Sequence, residues 1–304
     1  MKIMYSNKSL EYLCGLFGFT RQAYYQHMKR GVDNAIEEEL VIKQVLKIRK
    51  DHQRMGGRKL FYKLRSFLED HQIKMGRDAF FSLLAANNLL VKKMKRKIST
   101  TNSFHWFRRY PNLIIGFRPN SPNQLWVSDI THWKCPCCIL YISLITDAYS
   151  RMIVGYHIAI TLQSIETIQA LTMAISALWC QPKNLIHHSD RGAQYCSGIY
   201  VELLNSIGAG ISMTENGDPL ENPIAERTNG ILKEEYLWDQ KPDSIENAKV
   251  ILDRAIELYN FDRPHMSISN LTPNQVHYGN TYIEPRRLWK NYYKPQLPTG
   301  HEFS

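Results

Sequence analysis

The chain has 304 residues, 44% of them hydrophobic, enough for a sizeable core and a second domain. Its net charge of +10 is uneven, because residues 1 to 120 hold 24 Lys and Arg against 9 Asp and Glu while residues 121 to 304 hold 14 against 19. The front half therefore points to a polyanionic partner. No run nears the ~18 apolar residues of a membrane span, and six irregularly spaced cysteines do not read as a disulfide framework. A cytoplasmic protein with no membrane partner is expected.

The segment NKSLEYLCGLFGFTRQAYYQHMKR predicts a short helix, a break at Gly18 and a second helix with Thr20 as its N-cap. This is a helix-turn-helix-like arrangement, although an ordinary helical hairpin with a wet face carries the same pattern. In the DNA-binding form the second helix enters the major groove, and Arg21, Gln22, Tyr24, Tyr25 and Lys29 are residue types that reach bases or phosphates. Helical spacing resumes over 35–52, stops at Gly56 and Gly57, and returns over 58–70 and 77–88. Lys92, Lys93, Lys95, Arg96 and Lys97 close this all-α region, 1–97, and read as phosphate contacts. Residues 98–122 read as a linker containing FHWFRRYP. Arg108 and Arg109 suit phosphate there, while the neighbouring aromatics either stack on DNA or dock the linker on a domain surface.

From about residue 123 to 281 strands alternate with helices. QLWVSDITHW, ILYISLITDAY and MIVGYHIAI predict a three-stranded antiparallel meander. A helix over 164–179 follows, then a short strand NLIHHSD ending on Asp190, a helix closed by Gly208, and a fifth strand GISMTE. That order is the order of the ribonuclease-H-like fold. The expected architecture is an α/β ribonuclease-H-like catalytic core, a mixed five-stranded sheet with flanking helices, preceded by the all-α helix-turn-helix-like region and followed by a tail over 282–304.

Three acids stand out within this core. Asp129 falls in the first strand and Asp190 at the end of the fourth. Glu226 falls in the first turn of a helix opened by Asn222 as N-cap and Pro223 at the first position. Asn229 and Lys233 lie three and seven residues beyond Glu226, on its helix face. In-line phosphodiester transfer needs an activated hydroxyl and a stabilised leaving oxygen, which two divalent ions ~3.5 to 4 Å apart supply. Mg²⁺ or Mn²⁺ prefers hard oxygen ligands, so Asp129 bridging two ions, with Asp190 and Glu226 each holding one, makes a sufficient set.

The segments WVSDIT, HHSDRGAQY and ENPIAERTNGILKEE, with 35 residues between Asp190 and Glu226, resemble the transposases and integrases of the retroviral-integrase superfamily. More narrowly they resemble the second-frame (OrfB) DDE transposases of the IS-three family of bacterial insertion sequences. The resemblance runs nearly the whole chain, through RQAYYQHMKR, GGRKLFYKL, YNFDRPH from Tyr259 and LTP from Leu271.

It implies that Asp129, Asp190 and Glu226 are catalytic and bind metal, and that Lys233, with Asn229 beside it, contacts DNA. It also implies strand cleavage by water at the element ends, followed by attack of the freed 3′ hydroxyl on a second phosphodiester bond. The implied partners are double-stranded DNA of the terminal inverted repeats and the target, further copies of the chain assembled on DNA, and an upstream-frame (OrfA) product or fusion, in a bacterial, nucleoid-associated setting. A non-catalytic regulator of the element and a same-fold nuclease that hydrolyses without joining are the alternatives.

The family's usual Asp-Asn-Ala is here Glu221, Asn222, Pro223, with Glu221 reading as exposed. Cys135, Cys137 and Cys138 lack a further ligand pair at suitable spacing, so no zinc is expected. His187 and His188 read as structural hydrogen-bonding residues, Asp147 and Arg151 as a turn-fixing pair, and the stretch from Glu215 through Gly217 as a mobile loop.

Overall fold

The computed structural model describes residues 8–92, 110–136, 138–215, 221–279 and 282–284. The chain divides into two compact units, Met1–Lys92 and Lys93–Ser304. Among the described residues no helix is long and apolar enough to cross a membrane.

The first unit is all helical. Helix α1 (Leu10–Leu16) starts where Ser9 accepts a hydrogen bond from the Tyr12 amide, and the chain turns at Gly18 with φ 72°. Thr20 caps α2 by accepting from the Ala23 amide at 3.1 Å. Helix α2 then runs without interruption over Arg21–Asp51, merging the helix expected after Thr20 with the one expected over 35–52. Gly31 within a helix costs only about 1 kcal/mol relative to alanine, and no proline follows it before Asp51 to break the helix. The single helix expected over 58–70 is instead α3 (Gly57–Lys63) and α4 (Arg65–Asp70), joined at Leu64, whose ψ of −9° lies outside the regular helical range. Leu60, Leu64 and Leu68 pack from this pair into one core with Val41 and Val45 of α2 and Phe80 and Leu84 of α5 (Arg77–Ala86). Arg49 of α2 donates to the carbonyl oxygens of Gln53, Met55 and Leu89, tying the start and end of that bundle together.

The second unit is built on a five-stranded sheet in the order β3-β2-β1-β4-β5. Strands β1 (Leu125–Lys134), β2 (Ile139–Asp147) and β3 (Ile153–Ala159) form the antiparallel meander, and β4 (Ile186–Ser189) and β5 (Gly210–Met213) add in parallel beside β1. Side chains alternate across the sheet. Ile145 and Trp126 join one core with α6 (Ser164–Ser176) and α7 (Gly198–Ser206), while Leu144 and Ile142 join the other with α8 (Pro223–Ile231) and α9 (Ile245–Phe261). Gly155 lets α6 lie close on β3, since a Cβ there would sit 2.2 Å from the Ala170 carbonyl oxygen. A short α10 (Pro273–His277) follows, opened by a Thr272 and Gln275 capping box.

Candidate active site

Strand register brings two of the acids together. Val127 of β1 pairs with His188 of β4 in a parallel ladder. Asp129 and Asp190 each lie two residues beyond that pair, so they leave neighbouring strands at one level and on one side, ~4.8 Å apart in strand spacing. Asp129 Oδ1 accepts from the Ile130 amide at 2.9 Å and Oδ2 from Asn229 Nδ2 at 2.7 Å. Asp190 Oδ1 accepts from the Gly192 amide at 2.9 Å, and a Cβ on Gly192 would crowd that same oxygen at 3.0 Å. The turn is closed from the other side by Arg191 Nε donating to the Thr214 carbonyl at 2.6 Å.

Glu226 arrives from α8, in its first turn and exposed. Electrostatics join it to the other two acids. Burial, then the charge of Asp190, push the Asp129 carboxyl up to about 7; the bonds from Asn229 and Ile130 oppose the rise, and Glu226 adds to it. Such a group is short of positive charge.

Beneath it lie polar atoms that find no hydrogen-bond partner among the described residues. They include Asn229 Oδ1, on the side chain that holds Asp129, and the buried Tyr195 hydroxyl, whose ionisation is suppressed by burial, by Tyr200 and by the charges of Asp190 and Asp129. Hard carboxylate oxygens, mutual repulsion and unpaired polar atoms fit a divalent cation. Among the described residues no three of His, Cys, Asp and Glu gather to hold one metal ion.

Helix α8 is held against β1 by side chains. Asn222 stands at the N-cap position, but its side chain makes no cap bond. Its Nδ2 donates instead to the Ser128 carbonyl at 2.8 Å, correcting the capping role read from sequence. Asn229 is 5% exposed and its amide nitrogen is engaged by Asp129, so it meets the carboxylate rather than presenting that donor to solvent. Lys233 Nζ donates to Thr131 Oγ1 at 3.2 Å; burial lowers its pKa and the Asp129 charge opposes that. After α8 the helix widens into a π turn, Leu232–Tyr236, closed by the Leu237 amide on the Leu232 carbonyl at 2.9 Å. That turn buries Leu232, Tyr236 and Leu237 in one core while Lys233 reaches Thr131 of β1.

The polar residues around the acids are hydrogen-bonded within the fold. His187 Nε2 lies 2.7 Å from Ser128 Oγ and 2.9 Å from the Tyr200 hydroxyl; His188 lies 2.9 Å from Ser212 Oγ and 3.2 Å from the Glu221 carbonyl. Burial lowers His187 to about 3 and His188 to about 4, so both are neutral near pH 7. Glu221 is half-buried rather than exposed, and its carboxylate accepts from the Glu215 amide. Asp147 accepts from the Ser150 amide and hydroxyl and from the Asn123 amide. Burial would raise Asp147, but His277 and Ser150 outweigh it and lower its pKa. Cys135 donates weakly to the Trp133 carbonyl, and Cys135 and Cys138 are half-buried.

Of the predicted DNA contacts, Arg21 and Lys29 are exposed and line an open groove on α2 with Gln22, Tyr25 and Gln26. Lys92 is exposed too. Lys93, Lys95, Arg96, Lys97, Arg108 and Arg109 lie outside the described residues, as do Cys137 and Gly217. Sequence reasoning missed the roles of Asn222, Gly192 and Tyr195. Only the short segments around the acids pointed toward them, without indicating what each would touch.

A mixed sheet in this order, with one acid in the middle of its central strand, a second just past the end of the parallel neighbour and a third on the helix beside them, is the ribonuclease-H-like catalytic fold of enzymes acting on phosphodiester bonds. Residues 119–219 match the family described as Integrase core domain, and residues 207–273 match a second family of the same description. The chain is 32% identical to the 31 kDa protein of insertion element IS600 from Shigella sonnei over 265 residues, 86% of this chain and 96% of that protein. It is 26% identical over 247 residues to the transposase of insertion sequence IS904 from Lactococcus lactis, covering 81% and 96% of the two. Among solved structures, the integrase catalytic core of HTLV-2 in complex with magnesium covers 52% of this chain and 98% of its own at 26% identity, with a TM-score of 0.41. The chain belongs to the DDE transposases of bacterial insertion sequences, within the retroviral-integrase superfamily.

Proposed function

We propose that this transposase cuts DNA at the ends of its element and joins the freed 3′ ends to target DNA at a site made by Asp129, Asp190 and Glu226. The observation that supports the assignment is the pairing of Asp129 with Asp190 beside the helix of Glu226. Asp129 and Asp190 leave adjacent parallel strands at one level, and the helix that carries Glu226 is bonded to Asp129 itself through Asn229.

Two divalent ions, Mg²⁺ or Mn²⁺, held there would activate the attacking oxygen and take up charge on the leaving one. Asp129, Asp190 and Glu226 would be the residues that hold them. Asn229 fixes the Asp129 rotamer through its 2.7 Å bond. Lys233, held on Thr131, faces the same space and suits a DNA phosphate near the scissile bond. In the first step a water oxygen bonds to phosphorus, the bond to the 3′ oxygen breaks, and that oxygen leaves as a hydroxyl. In the second that 3′ oxygen bonds to a target phosphorus and displaces the target's own 3′ oxygen. No bond to the protein forms in either step.

Residues 1–97 would supply DNA binding, with Arg21 and Lys29 of α2 in the major groove and Lys92 through Lys97 on phosphates. Residues 98–122 would then link to the core at 123–281, with Arg108 and Arg109 on the backbone. Two ends must be held together, so assembly of several chains on terminal inverted repeats and target is part of the reading, as is an upstream-frame partner or fusion.

A strand-transfer assay with end-labelled DNA and Mg²⁺ tests it. Joined product with the wild type, lost in Asp190→Asn while DNA binding persists, is the expected result. Binding without chemistry supports a regulator, and cleavage without joining supports a nuclease.

A further inference from the structure

The segment YNFDRPH, 259–265, makes a buried polar network beside the helix that carries Glu226. Arg263 is 1% exposed and grips Glu235 through two bonds from one edge of its guanidinium: Nε to Oε2 at 2.8 Å and Nη2 to Oε1 at 2.6 Å. The Glu235 side chain is itself 12% exposed. Tyr259 donates its hydroxyl to the Arg151 carbonyl at 3.0 Å and meets Thr228 Oγ1 at 3.5 Å. Asn260 bonds both backbone groups of Ile153, accepting from its amide at 3.0 Å and donating to its carbonyl at 2.9 Å.

These contacts share one geometry. Asn260 references the end of α9 to β3 as a strand partner would. From that fixed point Tyr259 reaches α8 two residues after Glu226, and Arg263 reaches the π turn two residues after Lys233. The opposite side of the same helical segment is bonded to β1 by Asn222, Asn229 and Lys233. The segment bearing Glu226 and Lys233 is thus strapped on two sides.

A buried ion pair is weak evidence for net stability, because desolvation offsets attraction. A bidentate fork does fix orientation as well as distance. It grips the π turn, a wider helical form that needs outside support and recurs at functional sites.

We propose that Arg263, Glu235 and Asn260 are positioning residues for catalysis. Through the π turn they set where Lys233 stands against Thr131 and where α8 holds Glu226 relative to Asp129. The proposal rests on the transposase reading above.

Two full-chain variants test it. Arg263→Lys keeps the charge but not the fork, and Glu235→Gln keeps the shape but not the charge. In metal-free, DNA-free protein, amide hydrogen exchange over 226–236 should quicken at least about tenfold in both variants, while β1 and β2 keep wild-type protection. In single-turnover joining of pre-cut ends, Mg²⁺, which demands near-ideal octahedral geometry, should show a loss of about 30-fold, and Mn²⁺ one of less than about 5-fold.

Unchanged exchange over 226–236 overturns the proposal. So does equal loss with both metals in step with the melting temperature, and so does loss of the cooperative melt in both variants, which would make the pair a determinant of the fold. Failure of the wild type to join DNA would speak against the transposase reading, while the exchange measurement still reads the strap.

Discussion

Asp129 and Asp190 are set by the sheet, whereas Glu226 is set by a helix bonded to that sheet through side chains. The parallel ladder between β1 and β4 fixes the two aspartates relative to each other by main-chain bonds that no single side-chain substitution removes. Glu226 depends on Asn222, Asn229 and Lys233 on one side of its helical segment and on Thr228 and Glu235 on the other. A site can therefore be half encoded in backbone register and half in individual side chains, and the two halves should fail differently.

The largest expected effect removes the chemistry from the sheet half without moving it. Asp129→Asn and Asp190→Asn should each cut joining by more than about 10³-fold with DNA affinity retained, as measured by single-turnover joining beside a binding isotherm. Folding should persist, since the ladder is intact.

Next in size is the bond between the halves. Asn229→Ala should cost about 10- to 100-fold in joining or in metal affinity, the usual cost of losing a partner that orients a ligand. A smaller loss would mean that the two halves are held independently.

Asp129 also carries a pH signature. Its folded carboxyl sits at about 7, above the ordinary 3.8 of an unfolded aspartate. The folded state holds that proton more tightly, so the contribution to stability is fully present below about pH 4 and is lost as pH rises through about 7. Thermal melts of metal-free protein between pH 5 and 8 should fall more steeply in the wild type than in Asp129→Asn. Added Mg²⁺ should flatten the difference and release a proton detectable by calorimetry in two buffers.

The smallest effects belong to DNA contacts. Lys233→Ala and Lys29→Ala should each weaken DNA binding a few-fold and lower the salt slope by about 1. Lys233→Ala should additionally slow joining of DNA already bound, because it sits on the helix half of the site.

Much of this was legible in the sequence, for physical reasons. Strand alternation and helix signals depend on local pattern, so the meander, the mixed sheet and the helix beneath Glu226 could be read directly, while the three acids were singled out by the segments around them and the family those segments resemble. The interval between the helix opened by Thr20 and the one expected over 35–52 is helical as well, and α2 runs on to Asp51. Asn222 is more instructive. Its preference for the N-cap is a local rule, while its actual partner, Ser128, is 94 residues away. The same holds for Arg263 and Glu235, 28 residues apart, whose bidentate pairing no periodicity announces. Local rules found the elements; the residues that hold them together act across the fold.

The central claim is that Asp129 is the ligand common to two ions, and counting bound Mn²⁺ by electron paramagnetic resonance on the full chain with a DNA end tests it most directly. The account predicts two ions per site in the wild type, one each in Asp190→Asn and Glu226→Gln, and none held tightly in Asp129→Asn. Two ions retained in Asp129→Asn would contradict it.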